Sequence, residues 1–209
     1  MNDIRYLCGA HNSDSILHLG HLYGSIIPLI NNNIQENIFF LIGDTNMSED
    51  VSNYDISIFK TCSQIYSISQ IYNLKIKIIR QSTLRKYFSS YYFNITKYIT
   101  KTQYKNVLTS KQQNENNFIS ELLYPLDTTI ALLLLKINYV LFTGNDHEII
   151  SFARRIIKKY TNKNSVINVS PILYYKKDDF VKGWNYKKMG ATHNNCIYVS
   201  DRNEILKKN

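Results

Sequence analysis

The sequence predicts an α/β fold built on a parallel sheet. Three observations carry that expectation. Residues 38–42, Ile-Phe-Phe-Leu-Ile, are an unbroken apolar run of strand length, as in a strand buried on both faces. Up to Ile79 the chain alternates in the order strand, helix, strand, helix, strand, which right-handed crossovers join into one sheet. The longest apolar run, residues 130–135, falls far short of the roughly 20 residues that span a bilayer.

Residues 4–8 (Ile-Arg-Tyr-Leu-Cys) read as the first strand and residues 9–15 as its loop. Leu22, Ile26, Ile27, Leu29 and Ile30 have amphipathic spacing, so a helix is expected from near His18 to about Ile30. The 38–42 strand stops at Gly43-Asp44. Ligands sit at strand ends in doubly wound sheets, which makes Asp44 a candidate polar contact. The plainer reading of Asp44 is a helix cap or turn residue. Residues 57–72 carry Ile58, Cys62, Ile65, Ile68 and Ile71 near helical spacing, and residues 75–79 alternate as a third strand.

From 82 to 123 the pattern loosens, with Leu84, Phe88, Tyr91, Ile95 and Tyr98 only roughly helical. Residues 111–117 are polar and read as a mobile loop. Tyr124-Pro125-Leu126-Asp127 opens a strongly apolar helix through Leu135. Residues 140–144 read as a strand running into Gly144-Asn145-Asp146-His147. The helix at 148–160 is basic towards its C-terminus, which suits its dipole, and Asp146 doubles as its N-cap. With 7 Gly and 3 Pro the chain has little punctuation.

At 209 residues and 44% apolar composition, one domain with a sizeable core is expected. Three scattered cysteines without a Cys-x-x-Cys pair read as free thiols in a reducing compartment. The N-terminus has no apolar signal core, so a cytoplasmic protein without membrane association is expected. A net charge of +9 suits a polyanion such as RNA. The bland reading is equally open, because Lys, Asn, Ile and Tyr are what A/T-rich coding drift produces. No His/Asp/Glu cluster has the spacing of a protein-held metal site.

The chemistry concentrates in residues 16–26. His18-Leu19-Gly20-His21 puts two imidazoles on one face of a helix start, where free N–H groups and a partial positive charge suit phosphate. Gly20, lacking Cβ, lets a flat ring lie against the backbone. Read blandly, this is a helix with two ordinary surface histidines. The tetrad resembles the "HIGH" box of class I aminoacyl-tRNA synthetases, which grips ATP. Small adenylyltransferases carry His-x-Gly-His as well, but they leave the remaining matches unexplained.

Those matches follow in order. Thr102-Gln103-Tyr104-Lys105 resembles the Thr-Gln-Phe-Lys of tryptophanyl and tyrosyl synthetases, in the insertion that makes their homodimer contact. Tyr124-Pro125 resembles the start of the amino-acid-pocket helix. Gly144-Asn-Asp146-His147 looks like the Gly-Glu-Asp-Gln element. Tyr186-Lys187-Lys188-Met189-Gly190-Ala191-Thr192, continuing through Asp201, resembles the "KMSKS" loop, here degenerate at about 187–195. The sequence is thus similar over 1–209 to a tryptophanyl/tyrosyl-type catalytic domain, most like the bacterial tryptophanyl form.

The resemblance implies a Rossmann-like nucleotide-binding domain with a helical insertion at about 82–123. It implies a ligase that uses ATP with Mg²⁺ to adenylate an amino acid, with transfer to tRNA, in a homodimer. His18, His21 and Lys188 would be catalytic. Gly20, Gly144, Asp146 and Met189 would hold ATP, with Gly20 making room for adenine. Asp44, Asp127, Ala131 and His147 would face the amino acid.

Three departures follow. The fourth loop position, a lysine in the family, is Ala191. Losing a charge where charge develops costs about 2.7–4 kcal/mol. The position of the indole-binding aspartate falls on Ala131, with Asp127 one turn earlier on the same face. Seventeen residues follow Thr192, where the family continues into an anticodon-binding domain. A degenerate paralogue that binds nucleotide, amino acid or RNA without turnover is therefore the alternative.

Overall fold

The computed structural model describes residues 4–11, 17–44, 54–109, 119–141, 147–161, 182, 185, 186, 189 and 196–198. Four parallel strands form one sheet in the order β3-β2-β1-β4: β1 (Tyr6–His11), β2 (Ile38–Gly43), β3 (Ile76–Arg80) and β4 (Tyr139–Val140). Tyr6 stands opposite both Ile38 and Tyr139. The α/β Rossmann-like fold is as the alternating pattern predicts. The first strand is not. Residues 9–11 were expected in a loop, yet Gly9, Ala10 and His11 stay paired with Leu41, Ile42 and Gly43. The continuous apolar run of β2 supplies the ladder that keeps them in the sheet.

Both faces of the sheet are covered. On one side Cys8, Phe40 and Ile42 pack with Ile26, Leu29, Ile58 and Ile65. On the other, Leu7, Phe39 and Val140 pack with Leu132, Ile137, Ile150 and Ile157. Adjacent strand residues thus serve opposite cores, as the pleat requires. A third core of Leu84, Phe88, Ile95, Ala131, Ile149 and Phe152 joins the helical insertion to the sheet domain.

The β1-to-β2 crossover contains α1 (Leu19–His21), a π-helical turn (Leu22–Ile26) and α2 (Ile27–Asn31). Its cause is Pro28. The proline has no N–H and its ring crowds the carbonyl of Gly24, so the chain widens and Ile27 N–H donates to Leu22 instead. Helix α3 (Tyr54–Ile71) leads to β3. The insertion follows as α4 (Gln81–Arg85), α5 (Ser89–Thr96) and α6 (Lys101–Thr109).

Helix α7 (Ile119–Leu134) begins five residues before the expected start at Tyr124 and carries Pro125 inside it. The proline costs one backbone hydrogen bond, and the buried run Leu126, Ile130, Ala131 and Leu132 holds the helix through it. Helix α8 (His147–Tyr160) divides its apolar side between two cores. Ile149, Phe152 and Ile156 face the insertion, while Ile150, Ala153 and Ile157 face the sheet.

Three helices hand the chain to the next strand by the same device. Asn33, Asn73 and Lys136 take positive φ (55°, 51° and 52°) just past α2, α3 and α7. In each, the following residue's N–H reaches back five: Ile34 to Leu29, Leu74 to Ser69, Ile137 to Leu132. These are Schellman caps, with an apolar residue closing each turn. No helix among the described residues is long and apolar enough to cross a membrane.

Candidate active site

His18 is the N-cap of α1, extended at φ −101° and ψ 167°. The residue is 7% exposed, and its ring stacks on His21, with centroids 3.8 Å apart and planes 22° from parallel. The His18 backbone N–H donates to His21 Nδ1 at 3.3 Å. An accepting Nδ1 puts the proton of the neutral His21 ring on Nε2. A Cβ on Gly20 would lie 2.8 Å from Cε1 and 2.9 Å from Nδ1 of His18. The missing Cβ of Gly20 thus leaves room for the imidazole of His18.

The neighbouring elements fix this turn in place. Ser25 in the π-helical turn donates to the carbonyl of Gly9 at 3.0 Å. Leu17 N–H donates to the Gln64 side chain at 2.8 Å. Late in the chain, His18 bridges antiparallel to Tyr198, and Leu19 N–H donates to Ile197 at 2.9 Å. One donor of the first turn is thus spent on the protein. Met189, from the same late region, is 5% exposed.

A second buried cluster centres on α4, which two carboxylates clamp. At its start, Asp44, with a fully buried side chain, accepts from Arg80 Nε at 2.8 Å and from the Ser82 N–H at 2.7 Å. This caps a helix from another element, since Asp44 follows β2 and Ser82 lies in α4. At its end, Arg85 donates from Nε (3.0 Å) and Nη2 (2.6 Å) to Asp127 of α7. Tyr92 of α5 donates its hydroxyl to the other Asp127 oxygen. Burial, and after it the bond to Asp127, holds the Tyr92 hydroxyl well above the usual phenol range. Burial, then the Asp127 charge, pushes Tyr104 up to about 12. Asp127 is 0% exposed, so its charge is balanced inside the protein.

The sequence profile described as "tRNA synthetases class I (W and Y)" matches residues 1–209. The chain belongs to this family. No curated protein matches it closely. Among solved structures, tyrosyl-tRNA synthetase from Archaeoglobus fulgidus, complexed with L-tyrosine, is 17% identical with a TM-score of 0.71. The similarity covers 98% of this chain and 63% of that one. Tryptophanyl-tRNA synthetase from Campylobacter jejuni, complexed with ADP and tryptophan, is 20% identical with a TM-score of 0.72, over 98% and 66% of the two chains. The Plasmodium falciparum tryptophanyl enzyme gives 17% and 0.67, over 99% and 58%. The chain therefore spans less than two thirds of these three structures, and at such identities they establish the fold.

Within this class I synthetase fold, His18, Gly20 and His21 come together in one turn beside residues 196–198. Asp127 and Ala131 lie one turn apart on α7, both 0% exposed. His147 is exposed at the first position of α8. Lys188, Gly144, Asp146, Ala191 and the polar stretch 111–117 lie outside the described residues. Sequence reasoning missed Arg80, Gln81, Arg85 and Tyr92. One signal was present: Arg80 and Arg85 are the only arginines between the two singled-out aspartates, and buried carboxylates need cations.

Proposed function

We propose that this synthetase-family chain activates an amino acid as its adenylate. The stacked His18–His21 pair carries the reading. It follows β1 where the strand order turns back to β4, the crevice in which α/β folds bind nucleotides. His21 would offer Nε2–H to the phosphates of ATP, with the His18 ring held beside it. An amino-acid carboxylate would attack the α-phosphorus, the bond to the bridging oxygen would break, and pyrophosphate would leave. Such chemistry rests on positioning and charge and needs no covalent enzyme nucleophile. Mg²⁺ is expected to arrive with the ATP phosphates, and the acyl group to pass on to tRNA. Lys188 is the loop cation proposed to reach the pyrophosphate, in a cytoplasmic homodimer joined through the insertion.

Ala191 favours a second reading, in which the chain binds these ligands without turnover. Amino-acid-dependent ATP–pyrophosphate exchange, scanned over all twenty amino acids, separates the two. Exchange with one amino acid is the expected result. The variant His18→Ala/His21→Ala should lower it by about 10²-fold or more. Ligand binding by calorimetry without exchange would establish the second reading. Exchange untouched by the double substitution would overturn the site assignment.

A further inference from the structure

We propose that the π-helical turn aims the histidine pair, with Pro28 imposing the turn and Ser25 latching it to β1. Both are positioning residues, and the inference rests on the adenylation reading above. From Leu19 to Asn31 the chain follows one helical path, with His21, Leu22, Ile26 and Ile27 all right-handed helical at its junctions. One turn of that path is widened, so that the Ile27 N–H reaches Leu22. Such turns are rare inside α-helices and gather at functional sites.

What the wide turn changes is register. An α-helix has 3.6 residues per turn, so one residue more or less rotates everything beyond it by about 100°. On the C-terminal side, Ile26 and Leu29 are buried in the core with Cys8 and Phe40, which seats α2 on the sheet. The rotation therefore falls on the residues before the turn, His18 and His21. Two ties hold their direction. Leu17 lies in the same core, and its N–H donates to Gln64 of α3 at 2.8 Å. Ser25, also buried, donates at 3.0 Å to the Gly9 carbonyl of β1. A helical serine commonly returns its hydroxyl to its own helix. Ser63 and Ser67 of α3 do so, bonding the carbonyls of Phe59 and Ser63. Ser25 bonds a strand instead. In the chain the stacked rings stand between the Leu17 tie and the Ser25 tie.

Replacing Pro28 restores an N–H that can donate to the Gly24 carbonyl, as a regular helix requires. The wide turn is then free to close by one residue. Either the histidines swing out of the crevice or Ser25 leaves Gly9. A displacement of about 1 Å at reacting groups costs up to 10²-fold in rate.

The test is amino-acid-dependent ATP–pyrophosphate exchange by the full chain. Pro28→Ala and Ser25→Ala are each made in wild type and in His18→Ala/His21→Ala. In the wild-type background kcat should fall by about 10²-fold for Pro28→Ala and about tenfold for Ser25→Ala, with the KM for the amino acid unchanged. In the histidine-free background neither should lower the residual rate further, because groups that act as a unit are not additive. Equal losses in both backgrounds would place the damage elsewhere in the fold and overturn the proposal. So would a wild-type rate in folded Pro28→Ala. If Pro28→Ala does not fold, Ser25→Ala decides alone, and a wild-type kcat there overturns the proposal. Should wild type bind ATP without exchange, the same comparison is read from ATP affinity by calorimetry. Exchange untouched by His18→Ala/His21→Ala removes the histidine assignment itself, and shows before any Pro28 or Ser25 variant is made. No exchange and no ATP binding would remove both readings.

Discussion

Gly9 and Gly20 each exclude a Cβ, for reasons that predict opposite phenotypes. At Gly9 the added carbon would meet the Leu41 carbonyl oxygen at 2.8 Å. That atom is backbone of the neighbouring strand, in register across the centre of the sheet, and cannot step aside. Gly9→Ala should therefore destabilise the fold by about 1–3 kcal/mol, read as a lower urea midpoint. At Gly20 the obstacle is the far end of the His18 side chain, which can rotate. Gly20→Ala should melt close to wild type while His18 leaves its stack on His21. A displaced rotamer costs about 0.5–1.5 kcal/mol, so ATP affinity should fall by roughly tenfold. Equal loss of stability in the two variants would refute the distinction. The need for glycine at position 20 was legible in the tetrad. That the His18 ring lies against it was not, since that depends on the χ angles of His18.

Elements show where sequence and structure part company. Apolar periodicity located α3 and α8 to within a few residues, because both bury a regular stripe. It missed the start of α7, because Pro125 reads as a helix opening and only the packing that follows shows the helix continuing through it. The π-helical turn was also invisible, since the amphipathic pattern from Leu22 to Ile30 tolerates one extra residue per turn. Scarcity of glycine concealed the helix ends as well. Asn33, Asn73 and Lys136 occupy left-handed positions that glycine usually fills. Asparagine adopts that conformation readily, while lysine at φ 52° is strained by roughly 1–2 kcal/mol. Glycine would relieve the strain and add disorder to the unfolded chain, worth about 0.5–1 kcal/mol in the other direction. Lys136→Gly should thus raise stability by about 0.5–1 kcal/mol in urea titration. A lower midpoint would mean that the lysine side chain contributes more than its backbone costs.

At the scale of the whole molecule, the insertion is both brace and exposed surface. Its helices close the third core against α7 and α8, and the Asp127–Arg85–Tyr92 cluster ties α4 and α5 to the helix that precedes β4. The sequence announced an insertion through its loosened pattern, but not this tie, because long-range charge pairing leaves no periodic trace. The same insertion presents Tyr87 at 54% and Phe93 at 80% exposure, large apolar side chains turned to solvent. An apolar surface of this kind favours association, and fully burying one such side chain contributes about 1.5–3 kcal/mol. A symmetric dimer whose contact includes either of them buries it twice, because an isologous interface meets its own copy. Phe93→Asp would put a carboxylate into that contact from both sides without disturbing either core, since position 93 is exposed in the protomer. Sedimentation equilibrium should find wild type dimeric at micromolar concentration and the variant monomeric, with unchanged melting of the monomer. A monomeric wild type at about 100 μM, where even a contact worth only −5 kcal/mol begins to populate, would show that the insertion serves the fold alone.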